Sequence, residues 1–355
     1  MNMSSKRTRR ALAIVTAIAM IASVAATSAR ASAARSSDPK SVYFIFTGFA
    51  YPYFAPMAQG VTAVAKKWPS LSIKIVSANN SAPTEITDIN EAVAAGAKGI
   101  VLNPVEESVT SAAHTAMAKG IPVVTLDRDV SNPADRVAFI GDNDVTLGRE
   151  QTQYAISVLK QRHVKKPWHV VILQGTLGAS TAIDRTKGAM DVLRPSIHSG
   201  AVKVVLNQSA NFATATAEST ISTELGKTAD IQLIVCGNDA MALGAITALK
   251  DHGMKPGTKV LVVGADAQPE SLAAVRQRTQ LDTVTHSPFS EAVWAVDALA
   301  NVLNFHTKPP HRYPHGNLII PMTVVTKANV NKISAWGTPP IIPRLPYGQS
   351  QPVPR

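Results

Sequence analysis

The chain has 355 residues, of which 45% are hydrophobic and 5% aromatic, and a formal net charge of +11. Five of its basic residues lie within residues 1–33, which contain no acid, so the remaining chain carries +6. Those remaining charges are scattered, which argues against a nucleic-acid-binding surface. The length exceeds the ~250–300 residues that one hydrophobic core organises, so we predict two domains.

The first 33 residues have the three parts of a secretory signal peptide. Residues 1–10 are basic, residues 11–26 form an uncharged and mostly apolar run, and Ala29-Arg30-Ala31 and Ala31-Ser32-Ala33 are candidate cleavage sites. The alternative is a membrane anchor, but the run is shorter than the ~20 residues that cross a bilayer. We therefore expect residues 1–33 to be cleaved and the protein to lie in a periplasm.

Strands and helices alternate along the first half of the chain, which predicts an α/β fold with parallel sheets. The predicted elements are strand 42–46, helix 55–67, strand 72–76, helix 84–95, strand 99–102, helix 107–118, strand 122–125 and strand 137–140. Gly96 and Gly120 follow two of the helices, where a left-handed residue commonly ends a helix.

The second half repeats this plan, so the chain is predicted to form two doubly wound, Rossmann-like lobes. Its predicted elements are helix 144–160, strand 168–173, helix 181–192, strand 201–206, helix 212–225, strand 231–236, helix 239–251, strand 259–263, helix 269–276, strand 281–285, helix 288–304 and strand 318–325. The single cysteine, Cys236, lies in a predicted buried strand and is expected to act as a small hydrophobic residue. Six prolines after Thr338 predict an extended, partly disordered C-terminal extension over residues 327–355.

Each half contains a strand that ends on Asn and, one helix later, a strand that ends on Asp. These residues are Asn103 and Asp127 in the first half, and Asn238 and Asp266 in the second. Parallel sheets bind ligands outside the carboxyl ends of their strands. The pattern therefore predicts a ligand cleft between two similar lobes.

The residues near these strand ends suit a sugar-like ligand. An ionised Asp accepts hydrogen bonds from hydroxyls, Arg donates them in a planar fork, and Asn does both. Aromatic rings cover the apolar faces of a sugar, and Tyr51-Pro52-Tyr53-Phe54 places three aromatics in one loop. Phe212 alone would be interpreted as a core residue.

Each polar candidate also has a purely structural interpretation. Asp127-Arg128 can form a surface ion pair or a turn. Asn103 and Asn238 stand at strand-to-helix junctions, where Asn is a favoured helix cap. We expect Asp239 to cap its helix, which leaves Asn238 free for ligand.

The enzyme motifs that we sought are incomplete. Residues 178–182 lack the closing Gly of G-x-S-x-G, so Ser180 is predicted to cap a helix instead. His311 and His315 have metal-like spacing without a supporting Cys or carboxylate cluster. We therefore predict a protein that is not an enzyme and needs neither a metal nor a cofactor.

Over residues 41–326 the sequence resembles the ribose-binding-protein branch of the periplasmic sugar-binding proteins, the solute receptors of ABC importers. The resemblance is carried by Tyr51-Pro-Tyr-Phe54, Gly99-Ile-Val-Leu-Asn-Pro-Val105, Ile121-Pro-Val-Val-Thr-Leu-Asp-Arg128, Leu173-Gln-Gly175 with Asp184-Arg185, Asn238-Asp-Ala-Met-Ala-Leu-Gly244 and Val262-Val-Gly-Ala-Asp266. It implies a type I fold of two lobes that close on a sugar by hinge motion. It also implies an ABC transporter permease as partner, a chemoreceptor as a further candidate partner, and a monomer.

The resemblance also implies roles for individual residues. Stacking aromatics would be Tyr53, Phe54 and Phe212, and polar contacts would be Asn103, Asp127, Arg128, Arg185, Asn238 and Asp266. Chain crossings would lie near Gly141, near His286 and before Leu318. The implied division is residues 41–141 plus 287–315 for the N-terminal lobe and 142–286 plus 316–326 for the C-terminal lobe.

Three positions depart from the ribose pattern. Tyr51 replaces an Asn, Ala265 replaces an aromatic residue, which would open space, and His286 replaces a Gln. A hydrogen-bonding site rejects ligands that leave its groups unpaired, at ~1–3 kcal/mol per group. We therefore expect a neutral pentose, hexose, cyclitol or polyol other than ribose.

Two other function classes stay open from the sequence. The sensor domain of a lac-repressor-type regulator would share this fold but needs an N-terminal helix-turn-helix, where this chain has the predicted signal peptide. A sugar-modifying enzyme would need the nucleophile or metal motif that is incomplete here.

If Tyr51 and His286 set specificity, the double variant Tyr51→Asn, His286→Gln should bind ribose more tightly relative to other sugars than the wild type does. Calorimetric titration against a sugar panel measures this ratio. An unchanged ranking of sugars would show that other residues set selectivity.

Overall fold

The computed structural model describes residues 38–228, 230–350 and 353–354. The predicted signal peptide, residues 1–33, lies outside this range. In the part of the chain that is described, no helix combines the length and hydropathy needed to cross a bilayer.

The secondary structure alternates as the sequence predicts. The first half contains β1 (Lys40–Phe46), α1 (Phe54–Ala65), β2 (Leu71–Ser77), α2 (Ala82–Ala94), β3 (Gly99–Asn103), α3 (Thr110–Ala118), β4 (Val123–Leu126) and β5 (Ala138–Gly141). The second half contains α4 (Asp144–Gln161), β6 (Trp168–Gln174), α5 (Ser180–His198), β7 (Val202–Ser209), α6 (Thr214–Leu225), β8 (Leu233–Cys236), α7 (Asp239–Asp251), β9 (Leu261–Val263), α8 (Pro269–Gln277) and β10 (Asp282–Val284). The remainder contains α9 (Pro288–Phe305), β11 (Asn317–Ile319), β12 (Val324–Thr326), β13 (Ile341–Ile342) and β14 (Val353–Pro354).

Two six-stranded sheets with the same strand order form the two lobes. The first sheet has the order β2-β1-β3-β4-β5-β11 and is parallel throughout. The second has the order β7-β6-β8-β9-β10-β12, and only its edge strand β12 is antiparallel. The predicted α/β fold with two doubly wound lobes is confirmed. In each lobe the strand order reverses beside the first strand, where ligands of such sheets bind.

Apolar residues cover both faces of each sheet, because helices pack on both sides of a parallel sheet. All five residues of β3 are buried. Val101 packs under α1 and α9, whereas Ile100 and Leu102 pack under α2 and α3. Cys236 is buried and free, as predicted.

The chain passes between the lobes at residues 142–143, 285–287 and 320–323. The sequence predicts one strand over 318–325, but the structure has two, because β11 pairs with β5 in the first lobe and β12 pairs with β10 in the second. Pro321 lies between them and cannot donate a backbone hydrogen bond. The predicted third crossing before Leu318, and the assignment of residues 317–319 to the C-terminal lobe, are therefore wrong.

The C-terminal extension is not the disordered appendage that its prolines predict. Val330 packs against the second lobe, and Ile342, Leu345 and Tyr347 are buried in the core of the first. Proline restricts the unfolded chain as well as the folded one, so a proline-rich segment loses less conformational entropy when it packs. A few apolar anchors therefore suffice to hold this segment.

Two glycines let helices α4 and α5 approach closely. A Cβ on Gly188 would overlap the carbonyl of Val145, and a Cβ on Gly148 would overlap the carbonyl of Arg185. This close approach fixes the position of Arg185, a predicted site residue.

Gly188→Ala should therefore lower the free energy of unfolding by about 1–3 kcal/mol, because the added methyl forces the two helices apart. Urea denaturation measures the effect. Gly226→Ala is the control, since its Cβ would meet its nearest neighbour, the Thr223 carbonyl, at 3.4 Å. Equal stability of the two variants would contradict the close-packing argument.

A buried carboxyl group supports the loop after β3. Glu85 Oε2 accepts a hydrogen bond from the Val105 N–H at 2.6 Å, and the Val105 carbonyl accepts one from Arg128 Nη1 at 2.8 Å. Burial raises the pKa of Glu85 to about 8, and the bond to Val105 lowers it by less. Glu85 therefore folds most favourably in its protonated form.

The pKa of Glu85 rises from 4.5 on folding, so its contribution to stability is full below pH 4.5 and is lost as pH rises through about 8. Glu85→Gln keeps an acceptor for Val105 and removes this titration. The melting temperature of the variant relative to wild type should rise steadily between about pH 5 and pH 8. A difference that stays constant with pH would contradict the assignment.

Candidate functional site

A cavity lies between the lobes at the carboxyl ends of the strands. It is lined by Tyr51, Tyr53, Phe54, Asp127, Arg128, Thr181, Arg185, Phe212, Asn238, Asp266 and His286. Ten of these eleven residues are predicted site residues, and Thr181 is the addition. The remaining predicted residue, Asn103, does not line the cavity.

The two aspartates occupy equivalent positions in the two lobes. The Asp127 N–H donates to the Ile140 carbonyl at 2.9 Å, and the Asp266 N–H donates to the Val284 carbonyl at 2.8 Å. Both residues have positive φ, 57° for Asp127 and 106° for Asp266. Such strained backbone is uncommon outside glycine and clusters at functional sites. In each lobe the neighbouring strand therefore holds the backbone of the aspartate. This places one carboxylate on each side of the cavity.

The two strand-end asparagines have different roles. Asn103 is fully buried, and its Nδ2 donates to Asp127 Oδ2 at 2.8 Å while its Oδ1 accepts from Thr47 Oγ1 at 2.7 Å. It therefore braces Asp127 from behind. Asn238 lines the cavity and also caps α7, since its Oδ1 accepts from the Met241 N–H at 3.0 Å.

The expectation that Asp239 caps α7 is wrong. The Asp239 carboxylate points into the lobe and accepts hydrogen bonds from Gln280, Thr283 and the Gln268 N–H. Burial holds its pKa well above the usual range. Three donors inside the lobe compete successfully with the helix N-terminus for this carboxylate.

Aromatic rings enclose Arg128 from both lobes. Its guanidinium carbon lies 5.8 Å from the ring centre of Phe54 and 5.4 Å from that of Phe212, which are cation–π distances.

The two tyrosines of the cavity wall are held by hydrogen bonds. Tyr51 accepts a hydrogen bond from Asn80 Nδ2 at 3.0 Å. Tyr53 donates its hydroxyl to Glu291 at 3.0 Å. Every aromatic predicted for the site is therefore present at the cavity wall.

Arg185 connects the second lobe to the hinge. Its Nε donates to Asp144 at 2.6 Å, and its Nη1 donates to the Gly237 carbonyl at 2.8 Å and to Asp266 at 3.2 Å. Its Nη2 lies 2.7 Å from His286 Nδ1. Because a guanidinium has only donors, this contact requires His286 Nδ1 to accept.

His286 stands at the second hinge crossing, where carboxylates surround it. Its Nε2 lies 2.7 Å from Glu291 Oε1, and Asp142, Asp127 and Asp266 lie within 3.6 Å of the ring nitrogens. Burial alone would lower the pKa of His286, but Glu291 and Asp142 raise it well above its usual range. Burial also raises the pKa of Glu291, to about 7. The contact with Arg185 fits only the tautomer with Nδ1 unprotonated, so the structure places the ring proton on Nε2, facing Glu291, and protonation of both nitrogens would displace Arg185.

Sequence reasoning missed Thr181, Asp142, Asp144 and Glu291. Thr181 precedes Arg185 by one helical turn, so the i, i+4 spacing places both on one face of α5. Asp142 directly follows β5, as Asp127 follows β4, and Asp144 is the first residue of α4. No local pattern marks Glu291. Ala265, which was expected to open the ligand space, is fully buried and does not line the cavity.

Asp127, His286 and Glu291 offer three potential metal-ligand atoms within 4.8 Å of one another. The His286 and Glu291 atoms already form a short hydrogen bond, and the second Glu291 oxygen accepts from Tyr53. A metal ion would have to break both bonds. The arrangement fits a hydrogen-bonded network better than a metal centre.

The lobes also touch beside the cavity, so the cleft is closed. The Asp129 N–H donates to Ser180 Oγ at 2.9 Å, and the Glu107 N–H donates to the Gly178 carbonyl at 3.0 Å. Ser180, predicted to cap α5, is instead the first residue of that helix and contacts the opposite lobe.

Comparison with known proteins agrees with this architecture. A family model described as periplasmic binding protein domain matches residues 42–307. The ribose import binding protein of Bacillus subtilis is 28% identical over 254 residues, which cover 71% of this chain and 78% of that protein. The galactofuranose-binding protein of Escherichia coli is 29% identical over 297 residues, covering 81% and 89%.

Solved structures of binding proteins have the same fold. The crystal structure of a galactofuranose binding protein has a TM-score of 0.74 at 25% identity and covers 83% of this chain and 97% of that one. The Caulobacter myo-inositol binding protein bound to myo-inositol has a TM-score of 0.73 at 25% identity, covering 82% and 95%. With the family model matched across both lobes, the chain belongs to the periplasmic binding protein family.

Proposed function

We propose that this protein is a periplasmic solute receptor that binds one neutral monosaccharide or polyol between its lobes and delivers it to an ABC importer. The observation that carries the proposal is the pair Asp127 and Asp266. Each lobe contributes one buried carboxylate to the same cavity. A ligand whose hydroxyls donate to both carboxylates would bridge the lobes and favour closure.

The charges of the cavity wall favour a neutral ligand. Arg128 and Arg185 balance the charges of Asp127 and Asp266: Arg128 Nε lies 3.8 Å from Asp127, and Arg185 Nη1 donates to Asp266 at 3.2 Å. A charged ligand would leave one of these buried groups unpaired, which is costly. Hydroxyls donate to carboxylates and accept from guanidinium groups without changing the net charge.

The lining of the cavity favours a single ring or a short polyol. Tyr53, Phe54 and Phe212 provide aromatic surface for the C–H groups of such a ligand. An oligosaccharide would require an open end of the cleft, where Ser180 and Gly178 touch the first lobe.

The relatives support a polyhydroxylated ligand while differing in which one they bind. Their names specify ribose and galactofuranose, and solved relatives at 25% identity were obtained with myo-inositol and with L-arabinofuranose. The ligand shared by this set is a neutral compound with several hydroxyls. Tyr51 and His286 remain the residues that we propose to exclude ribose.

The remaining parts of the proposal are export, action without catalysis, and a membrane partner. The predicted signal peptide supports export, and all relatives named above are binding proteins.

Phe49 and Leu177 are 60% and 65% exposed, and each follows the first strand of its lobe. When the lobes are closed, one exposed apolar side chain from each lobe would be available for docking on a permease. We propose that the receptor acts as a monomer, with a chemoreceptor as a second candidate partner.

A thermal-shift screen of the mature protein against pentoses, hexoses, cyclitols and polyols should identify a ligand, since a ligand that binds only the native state raises the melting temperature. Asp127→Asn and Asp266→Asn keep the side-chain size, and each should weaken calorimetric affinity for that ligand at least tenfold. Loss of a charged acceptor of this kind costs ~1.5–3 kcal/mol.

Asp191→Asn is the matched control, because Asp191 lies on α5 and pairs at the surface with Lys187 and Arg194. Its affinity should equal that of the wild type. A panel without any hit, or full affinity in both cavity variants, would overturn the proposal.

A further inference from the structure

The C-terminal strap, residues 330–350, forms a fourth connection across the hinge. On the second lobe, Val330 packs with Leu272 and Val275 in the small core beside α8. On the first lobe, the Pro343 carbonyl accepts from Trp294 Nε1 at 2.9 Å, and the Gln349 N–H donates to Asn301 Oδ1 at 2.7 Å. The strap is therefore anchored on both lobes and lies beyond the region that the family model matches.

The strap crosses directly over the second hinge segment, residues 285–287. Thr338 Oγ1 lies 3.0 Å from Ser287 Oγ. Gly337 has φ 60°, and a Cβ added to it would meet Thr285 Cβ at 2.6 Å. These contacts lie on either side of His286 in sequence, so the strap covers the hinge segment that carries a cavity residue.

Trp336 on the strap contacts both sides of the ligand site. Its N–H donates to the Ala267 carbonyl at 2.7 Å, next to Asp266 in the second lobe. Its ring packs edge-to-face on Tyr53 of the first lobe, with ring centres 5.9 Å apart at 83°. Tyr53 in turn packs on His286, with ring centres 4.9 Å apart. One residue outside the cavity thus supports Asp266, Tyr53 and the hinge together.

We propose that Trp336 is a positioning residue for ligand binding, and that the strap holds the cavity walls of both lobes in register. This inference rests on the proposed function for its ligand and on the contacts above for its structure. Edge-to-face aromatic pairs contribute beyond the area they bury. Loss of the Trp336 ring would free Tyr53 on the first lobe, whereas the hydrogen bond from the backbone N–H of residue 336 to the Ala267 carbonyl would remain.

Trp336→Ala should weaken calorimetric affinity for the screened ligand about tenfold, and Trp336→Phe should restore it to within about threefold because a ring is retained. Tyr347→Leu is the matched control. Tyr347 is a buried strap residue in the first-lobe core, packed on Tyr313 and away from the hinge. The Tyr347→Leu substitution should lower the melting temperature and leave the affinity for the ligand unchanged. Wild-type affinity in Trp336→Ala, or equal weakening by Tyr347→Leu, would overturn the proposal.

Amide hydrogen exchange without ligand tests the strap independently of the sugar screen. Trp336→Ala should speed exchange in peptides that contain Tyr53, and Tyr347→Leu should not. A wild type that binds no sugar would reject the proposed function alone. Unchanged exchange in the Tyr53 peptides of Trp336→Ala would reject the positioning role, whatever the ligand.

Discussion

Burying ionised carboxylates between two lobes costs free energy unless each charge is paired, and this constraint explains the surroundings of the cavity. Asp127 accepts a hydrogen bond from Asn103 and forms an ion pair with Arg128. Arg185 forms ion pairs with both Asp266 and Asp144. The two aspartates are fixed by backbone bonds to the neighbouring strand. The carboxylates therefore keep their positions without ligand, and a polyol can complete their hydrogen bonds across the cleft.

The same constraint links the cavity to the hinge. His286 lies in the second crossing and joins Arg185 of the second lobe to Glu291 of the first, and Glu291 binds Tyr53 at the cavity wall. The strap covers this crossing from outside and adds Trp336 behind Tyr53. One contiguous set of contacts thus couples closure of the lobes, the pairing of the buried charges and the position of the hinge. A ligand needs only to favour the closed arrangement of the lobes.

The sequence predicted the parts of this structure that follow local rules. Alternating apolar strands and amphipathic helices gave the two lobes, and strand-end polar residues gave Asp127 and Asp266. Contacts between distant segments were harder to predict: Glu291 carries no local motif, and Asp239 bonds to residues 29–44 positions away rather than to its own helix. The ordered strap could not be predicted from its proline content, which is typical of disordered segments. Its order depends on a few apolar anchors, Ile342, Leu345 and Tyr347.

The central claim is that one ligand bridges Asp127 and Asp266 and thereby favours closure of the lobes. Small-angle scattering with and without the ligand found in the screen tests it most directly. The account predicts that the radius of gyration of the wild type falls when ligand is added, and that Asp266→Asn at the same ligand concentration does not change. Identical scattering of the wild type with and without saturating ligand would contradict it.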